Sequence, residues 1–472
     1  MTPSNRCSPY QSVDEEREAR TQAATQQACL LNANWPVLLR RLRQIPDIRN
    51  PKKTKHKLTT LMLYGILAFV FQYTSRRQAN GEMTRPMFEQ NLRGLFPELE
   101  TLPHADTLFR LLSQIDVDQI EQAQIELVNQ LIRKKKFAPY RINNCYPIAI
   151  DGTQQIAFST LWTDELQQRK LRATQHSQAS DPQYQYYVYV LEANLSFQNG
   201  RVIPLMSEFL DYQQGDTANR KQDCESKAFH RLAARLKQAF PRLPILLLLD
   251  GLYPTGPIMA RCRSYNWQFM IVLQDASLPS VWEEFYSLLP LQHDNEKQQN
   301  WGDRQQAFRW VNQIRYEYGQ NGKNHLIVHL VLCEEQWQEV DEHAQIVTKT
   351  SKHAWLSSRP LNRHNVHERC NLAGRYRWGI ESCILVEKHQ GYAYEHTFAK
   401  DWNAMRGYHY LMRIAHLLNT LARYSSALAG LFREMGIQGF TRFVRTTYTG
   451  LWLEDAADIE QRMRKPFRLS FV

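Results

Sequence analysis

Pro244-Ile245-Leu246-Leu247-Leu248-Leu249-Asp250 is a continuous apolar run closed by a carboxylate. A run of this length without polar alternation is expected of a strand buried on both faces, as in the middle of a parallel sheet. Upstream, Tyr146-Pro147-Ile148-Ala149-Ile150-Asp151 repeats the pattern, and Gly152-Thr153 follows as a predicted turn. Residues 184–193 (YQYYVYVLEA) are aromatic and β-branched and read as a strand. Residues 200–210 read as another, and Asn199-Gly200 between the two is a hairpin signal. Residues 219–239 predict a helix with Phe229, Leu232, Leu236 and Phe240 on one face. A second helix is expected over 255–265, and a further strand over 267–273.

The order is therefore β, β, β, α, β, α, β. Three antiparallel strands followed by alternating α and β is the order of a ribonuclease-H-like α/β fold, and the run at 244–250 stands where its central parallel strand belongs. Residues 141–275 are read as the first part of this core. Residues 276–358 break the rhythm. They are rich in Gln, Asn, Glu and Trp, with β-like pieces such as 326–332 between polar turns, and read as a β-rich insertion. Trp301, Trp310, Trp337 and Trp355 are expected to form its own small core. Residues 359–425 return to the core, with a helix from about Val366 and another over 403–424. His409 and His416 on the latter read as satisfied core histidines. The remainder, 426–472, is a basic C-terminal region.

Ahead of the core, residues 1–29 form a polar segment expected to be loosely ordered, and residues 30–140 an all-helical N-terminal domain expected to bind DNA. Phe88, Leu92 and Leu95 have helical spacing, as do Leu108, Leu111, Leu112 and Ile115. The apolar run at 58–73 is short for a membrane span and contains Thr59, Thr60, Gly65 and Gln72, so a buried helix is expected. A basic approach precedes it, made of Arg40, Arg41, Arg43, Arg49, Lys52, Lys53, Lys55 and Lys57. Such a run is either a solvated face or a phosphate-contacting segment.

The chain has 472 residues with 43% hydrophobic and 11% aromatic content, which excludes a disordered protein. A formal charge of +11 favours a polyanionic partner such as nucleic acid. None of the eight cysteines forms a CxxC pair, which leaves a structural zinc site unsupported. The polar start is no signal peptide, and an intracellular protein is expected.

The chemistry converges on three carboxylates. Asp151 and Asp250 each follow an apolar strand, and ligand sites in open α/β sheets gather beyond the carboxyl ends of strands. Glu381 lies four residues after Arg377 and seven before Lys388, steps that return to one helix face. Singly, each acid has a plain explanation, Asp-Gly as a turn and Glu381 as a surface partner of Arg377. Together, three carboxylates in one pocket repel unless cations intervene. Magnesium or manganese suits such oxygen donors, and a two-metal site for in-line phosphoryl displacement satisfies all three. Glu192, at the end of its strand, is the substitute ligand. Asp223 and Glu225 fit a helix N-terminus.

These features resemble the bacterial insertion-sequence transposases of the DDE class, in the branch with a Tyr-Arg-Glu-Lys motif. That motif is Tyr, two residues, Arg, three residues, Glu, six residues, Lys. Arg377, Glu381 and Lys388 match it in register, whereas the Tyr position falls on Gly374 and the nearest tyrosine is Tyr376. The resemblance extends to Asp151-Gly152-Thr153, Leu249-Asp250-Gly251 and the β-rich insertion, over roughly residues 50–425. It implies that Asp151, Asp250 and Glu381 are catalytic and bind two Mg2+ or Mn2+ ions. It also implies that Arg377, Lys388 and Tyr376 contact DNA. The expected activity is cleavage at the transposon's terminal inverted repeats and transfer of the 3′ hydroxyl into target double-stranded DNA, by a homodimer in the bacterial cytoplasm, associated with the nucleoid. The alternatives are a metal-dependent nuclease of the same fold and a non-catalytic domesticated DNA-binding relative.

Overall fold

The computed structural model describes residues 8–171, 184–211, 224–342 and 344–450. Six helices come first: α1 (Val13–Leu42), α2 (Leu58–Val70), α3 (Arg76–Met83), α4 (Pro86–Leu95), α5 (Ala105–Leu112) and α6 (Asp118–Arg133). Then follow β1 (Tyr146–Phe158), β2 (Gln167–Lys170), β3 (Tyr184–Ser196), β4 (Val202–Phe209), α7 (Glu225–Ala239), β5 (Ile245–Leu249), α8 (Gly256–Ser264) and β6 (Gln268–Val272). The chain continues through α9 (Pro279–Leu288), β7 (Glu296–Trp301), β8 (Arg304–Tyr318), β9 (Asn324–Val340) and β10 (Ile346–Ser357). It closes with α10 (Gly379–His389), α11 (Trp402–Arg423) and α12 (Ala429–Tyr448).

The ten strands form one mixed sheet in the order β2-β3-β1-β5-β6-β10-β9-β8-β7, with β4 also paired to β3. β1 is antiparallel to β3 and parallel to β5, and β5 is parallel to β6. All five residues of β5 are fully buried, as the unbroken apolar run requires. Side chains alternate between two faces. Ile148, Ile150, Leu247 and Leu249 join the large core shared with the N-terminal helices. Ala149, Leu246 and Leu248 turn the other way, onto Ile380 and Ile384 of α10. α11 lies against α2 so closely that a Cβ on Gly65 would stand 2.7 Å from Leu411.

Four expectations are corrected. Residues 13–28 are not loosely ordered but form the first half of α1. Ser12 caps this helix by accepting from the Glu15 N–H at 3.1 Å. The buried stripe there is Ala23, Ala24, Gln27 and Ala28, small or polar residues that carry little hydrophobic signal. Gly152-Thr153 is not a turn, because β1 runs on to Phe158 and pairs with the aromatic half of β3. Gly152 serves a close approach instead: a Cβ there would stand 2.6 Å from the Tyr189 ring. The tryptophans of 276–358 do not make a separate core. β10 pairs with β6 and carries β7–β10 into the main sheet. Trp310 and Trp355 pack with Ala149, Leu246 and Leu248. Trp301 and Trp337 are only part-buried, with Arg375 5.1 Å from the first ring centroid and Arg304 4.1 Å from the second. Finally, Val366 does not open one regular helix. A π-helical turn (Glu368–Ala373) and a 3-10 turn (Gly374–Trp378) precede α10.

The start of the helix expected over 219–239 lies partly outside the described residues, as do Asp223 and residues 451–472. Among the described residues, no helix is long and apolar enough to cross a membrane, and all seven cysteines are free.

Candidate active site

The ladder between β1 and β5 sets Ala149 opposite Leu248. Asp151 comes two residues further along β1, and Asp250 directly follows the last residue of β5, near enough for its charge to act on Asp151. Alternation places both on the face that carries Ala149 and Leu248, where Ile380 and Ile384 seat α10. Asp250 also accepts from the Leu252 N–H at 2.9 Å, which tightens the turn after β5.

Glu381 reaches this face from the first turn of α10. Arg377, in the 3-10 turn ahead of it, joins the acids: its Nη2 donates to Glu381 Oε1 at 2.6 Å, and its Nη1 lies 3.5 Å from Asp151 Oδ2. The guanidinium is 8% exposed, so it works at low dielectric. The Asp151 carboxyl stands raised from 3.8 to about 6, chiefly by burial; Arg377 pulls it down, and Asp250 and Glu381 add to the rise. The acids therefore share one field with too little positive charge. This donor set, all oxygen and under-compensated, fits divalent magnesium or manganese.

Among the described residues only Cys383, Glu387 and His416 bring their ligand atoms within 4.8 Å of one another. The Asp151, Asp250 and Glu381 carboxylates are not drawn together that tightly, with Arg377 standing between two of them. The buried Cys-Glu-His group is a poor metal site. Arg413 already holds Glu387 at 2.8 Å, and burial keeps the Cys383 thiol well above its ordinary pKa.

Lys388 lies about two turns beyond Glu381 on α10. Its ammonium donates to the Gln154 carbonyl at 3.0 Å, beside the ladder irregularity between Gln154 and Ile156, and lies 3.3 Å from Glu395. Tyr376 is half-buried, and its carbonyl accepts from the Ser196 hydroxyl. Gly374, where the motif has tyrosine, abuts the Trp355 indole; a Cβ would stand 2.8 Å from Nε1. The indole thus fills the space that a side chain at 374 would need. Trp378, 65% exposed, is the large apolar side chain open to solvent beside Arg377.

Glu192 is not a substitute ligand. It faces Asp151 across the ladder but is fully buried in an ion network. Arg413 lies 3.0 Å away, Ser207 donates at 2.7 Å and Tyr394 at 3.1 Å. Arg413 also grips Glu387, the residue before Lys388, and His416 lies 2.6 Å from the same carboxylate. His409 and His416 are thus core residues with partners, as expected.

Two other sequence features are resolved by pairing. Arg40 pairs with Glu126, Arg49 with Asp47 and Lys57 with Glu100, while Arg41 donates to Gln119. Arg43, Lys52, Lys53 and Lys55 stay exposed and form no ion pair among the described residues. Glu225 stands at the first position of α7, yet it does more than complement the helix dipole. It accepts from the Tyr189 hydroxyl and, at 3.0 Å, from Tyr253, against Gly152. The only sequence signal for this trio is the glycine beside Asp151, read as a turn.

Residues 39–128 match a family model described as DDE_Tnp_1-associated. No curated protein matches the chain. A solved structure of the piggyBac transposase synaptic complex with hairpin DNA is similar at 10% identity and a TM-score of 0.38, over 89% of this chain and 76% of that one.

Proposed function

We propose that the chain is a DNA transposase of the DDE class that cuts phosphodiester bonds at transposon ends and joins the freed 3′ hydroxyl to target DNA. The observation that carries this is the meeting of Asp151 and Asp250 on adjacent parallel strands with Glu381 and Arg377 from the α10 segment. The strand order β4-β3-β1-β5-β6, with two antiparallel pairings followed by two parallel ones, supports a ribonuclease-H-like core. The DDE_Tnp_1-associated match over 39–128 supports the same reading from a different part of the chain.

Asp151, Asp250 and Glu381 would hold two Mg2+ or Mn2+ ions, which when bound supply activation of the attacking oxygen and stabilisation of the leaving one. Arg377 would exchange its carboxylates for a phosphate through its planar fork, and Lys388 would add a point charge on the same helix side. Tyr376 would contact the DNA end. Their ion pairs hold both cations in place until a phosphate competes. Arg377 and Lys388 beside the acids favour transposition over simple hydrolysis. The functional assembly would be a homodimer on paired inverted repeats in the bacterial cytoplasm.

The test uses a duplex carrying the element's own terminal repeat, with Mg2+ or Mn2+, and a pre-cut 3′ end with target plasmid. Nicking at the terminus and joined products are expected from the wild-type chain, and neither from Asp250→Asn. Metal-dependent cleavage surviving in Asp250→Asn would overturn the site, and cleavage without joining would reduce the protein to a nuclease.

A further inference from the structure

A groove of about 620 Å³ opens between α3, the start of α5 and residues 396–400 ahead of α11. Its charge is one-sided. Arg76, Arg77 and Lys400 line it against a single carboxylate, Asp106, which Arg76 meets at 3.4 Å. Arg77 and Lys400 are exposed and form no ion pair among the described residues. This contrasts with Arg40, Arg49 and Lys57, each of which has a carboxylate partner in the chain.

The neutral donors add to the same polarity. His104 Nδ1 accepts from the Asp106 N–H at 3.1 Å, and His396 Nδ1 accepts from the Phe398 N–H at 3.0 Å. With Nδ1 committed as acceptor, each ring carries its proton on Nε2, a donor. Asn80 Oδ1 accepts from the Ala105 N–H at 3.2 Å, which leaves its amide N–H groups as donors too. A lining with three cations against one carboxylate, and with these added donors, matches an anionic ligand rich in acceptors.

The groove is tied to the candidate active site. Lys388 holds Glu395 at 3.3 Å, and the next residue, His396, is the first of that segment to line the groove. The groove thus begins one residue beyond the Lys388–Glu395 pair.

We propose that this groove binds the phosphate backbone of duplex DNA flanking the scissile position, so that α3 and α5 grip the same strand that Arg377 and Lys388 present for reaction. This rests on the transposase reading. The two unpaired cations are the ones to remove, since neither supports the fold through an ion pair.

The experiment is a fluorescence-anisotropy titration of a terminal-repeat duplex over a salt series. It compares the full-length wild type with Arg77→Gln/Lys400→Gln and with Lys323→Gln/Lys349→Gln, a control of equal charge change at exposed sites on the β8–β10 extension. The groove variant is expected to bind roughly tenfold more weakly at low salt, with a slope of log affinity against log salt shallower by about two. The control keeps the wild-type slope, and thermal melting is the same for all three. An unchanged slope in the groove variant, or an equal loss in the control, overturns the groove while leaving the active-site reading intact. Failure of the wild type to bind duplex at any salt overturns both.

Discussion

Arg413→Met tests how the α10 segment is held to the sheet. The guanidinium is 1% exposed and spans two carboxylates, Glu192 at 3.0 Å and Glu387 at 2.8 Å, both fully buried. Burial alone would raise both acids; Arg413, with a histidine beside each, instead holds them below their ordinary value of 4.5. Methionine keeps most of the volume and leaves two acids buried against two histidines without the strong cation. Breaking a buried pair in this way costs about 3–5 kcal/mol. The pH dependence fixes the cause. With folded pKa values depressed, the wild-type network contributes stability above pH 4.5 that is lost as pH falls below it. In the variant, burial without Arg413 raises the same acids above their unfolded values, so its stability is lost as pH rises. The gap between the two proteins should therefore be widest near pH 7 and narrow toward pH 4. Urea denaturation followed by tryptophan fluorescence measures both curves. Adding Glu192→Gln and Glu387→Gln to Arg413→Met should recover most of the loss, because uncharged amides need no counter-ion. A loss under about 1 kcal/mol at pH 7, or a gap that does not change with pH, refutes the reasoning.

Three further outcomes follow from the site. Asp151 should titrate near pH 6 by carbon-13 NMR, and Glu381→Gln should move it down, since one repelling charge is lost and Arg377 is freed for Asp151; no movement would place Glu381 outside its field. Because the Asp151 value is raised above 3.8 in the fold, its contribution to stability is present below pH 3.8 and lost as pH rises through about 6. Asp151→Asn should accordingly be the more stable protein at pH 8 and gain nothing at pH 3.5. Gly374→Ala should lower stability by about 1–3 kcal/mol through overpacking on Trp355, and Gly374→Tyr by more, despite restoring the motif's residue; a neutral Gly374→Tyr in thermal melting would show that the indole yields.

Much of the sheet was legible because its signals are local. The run at 245–249 is apolar at every position, and only a strand covered on both faces needs that. The i, i+4 step from Arg377 to Glu381 survives even though a 3-10 turn replaces regular helix at Arg377, because one residue of altered pitch changes little over a single turn. What misled was chemistry with two uses. Gly152 looked like a turn and instead lets Tyr189 and Glu225 close on the strand. Ala23, Ala24 and Ala28 looked like a polar tail's neutral residues and instead seat a helix.

By itself the sequence determined most of the core's order from β3 to β6, the carboxylate after the apolar run of β5 and the charged stripe that follows Trp355; it missed β2 and α9, and Asp151 lies inside β1 rather than after it. Periodicity and terminal position are properties of neighbours along the chain. Only the tertiary structure decided that Asp151 and Asp250 share one field and that Glu192 is consumed by Arg413. Only it decided that half of the basic approach is paired away, and that Arg77 and Lys400 meet in one groove. These partners lie tens to hundreds of residues apart, and whether a charge is spent or free depends on which distant opposite charge the fold brings within a few ångströms.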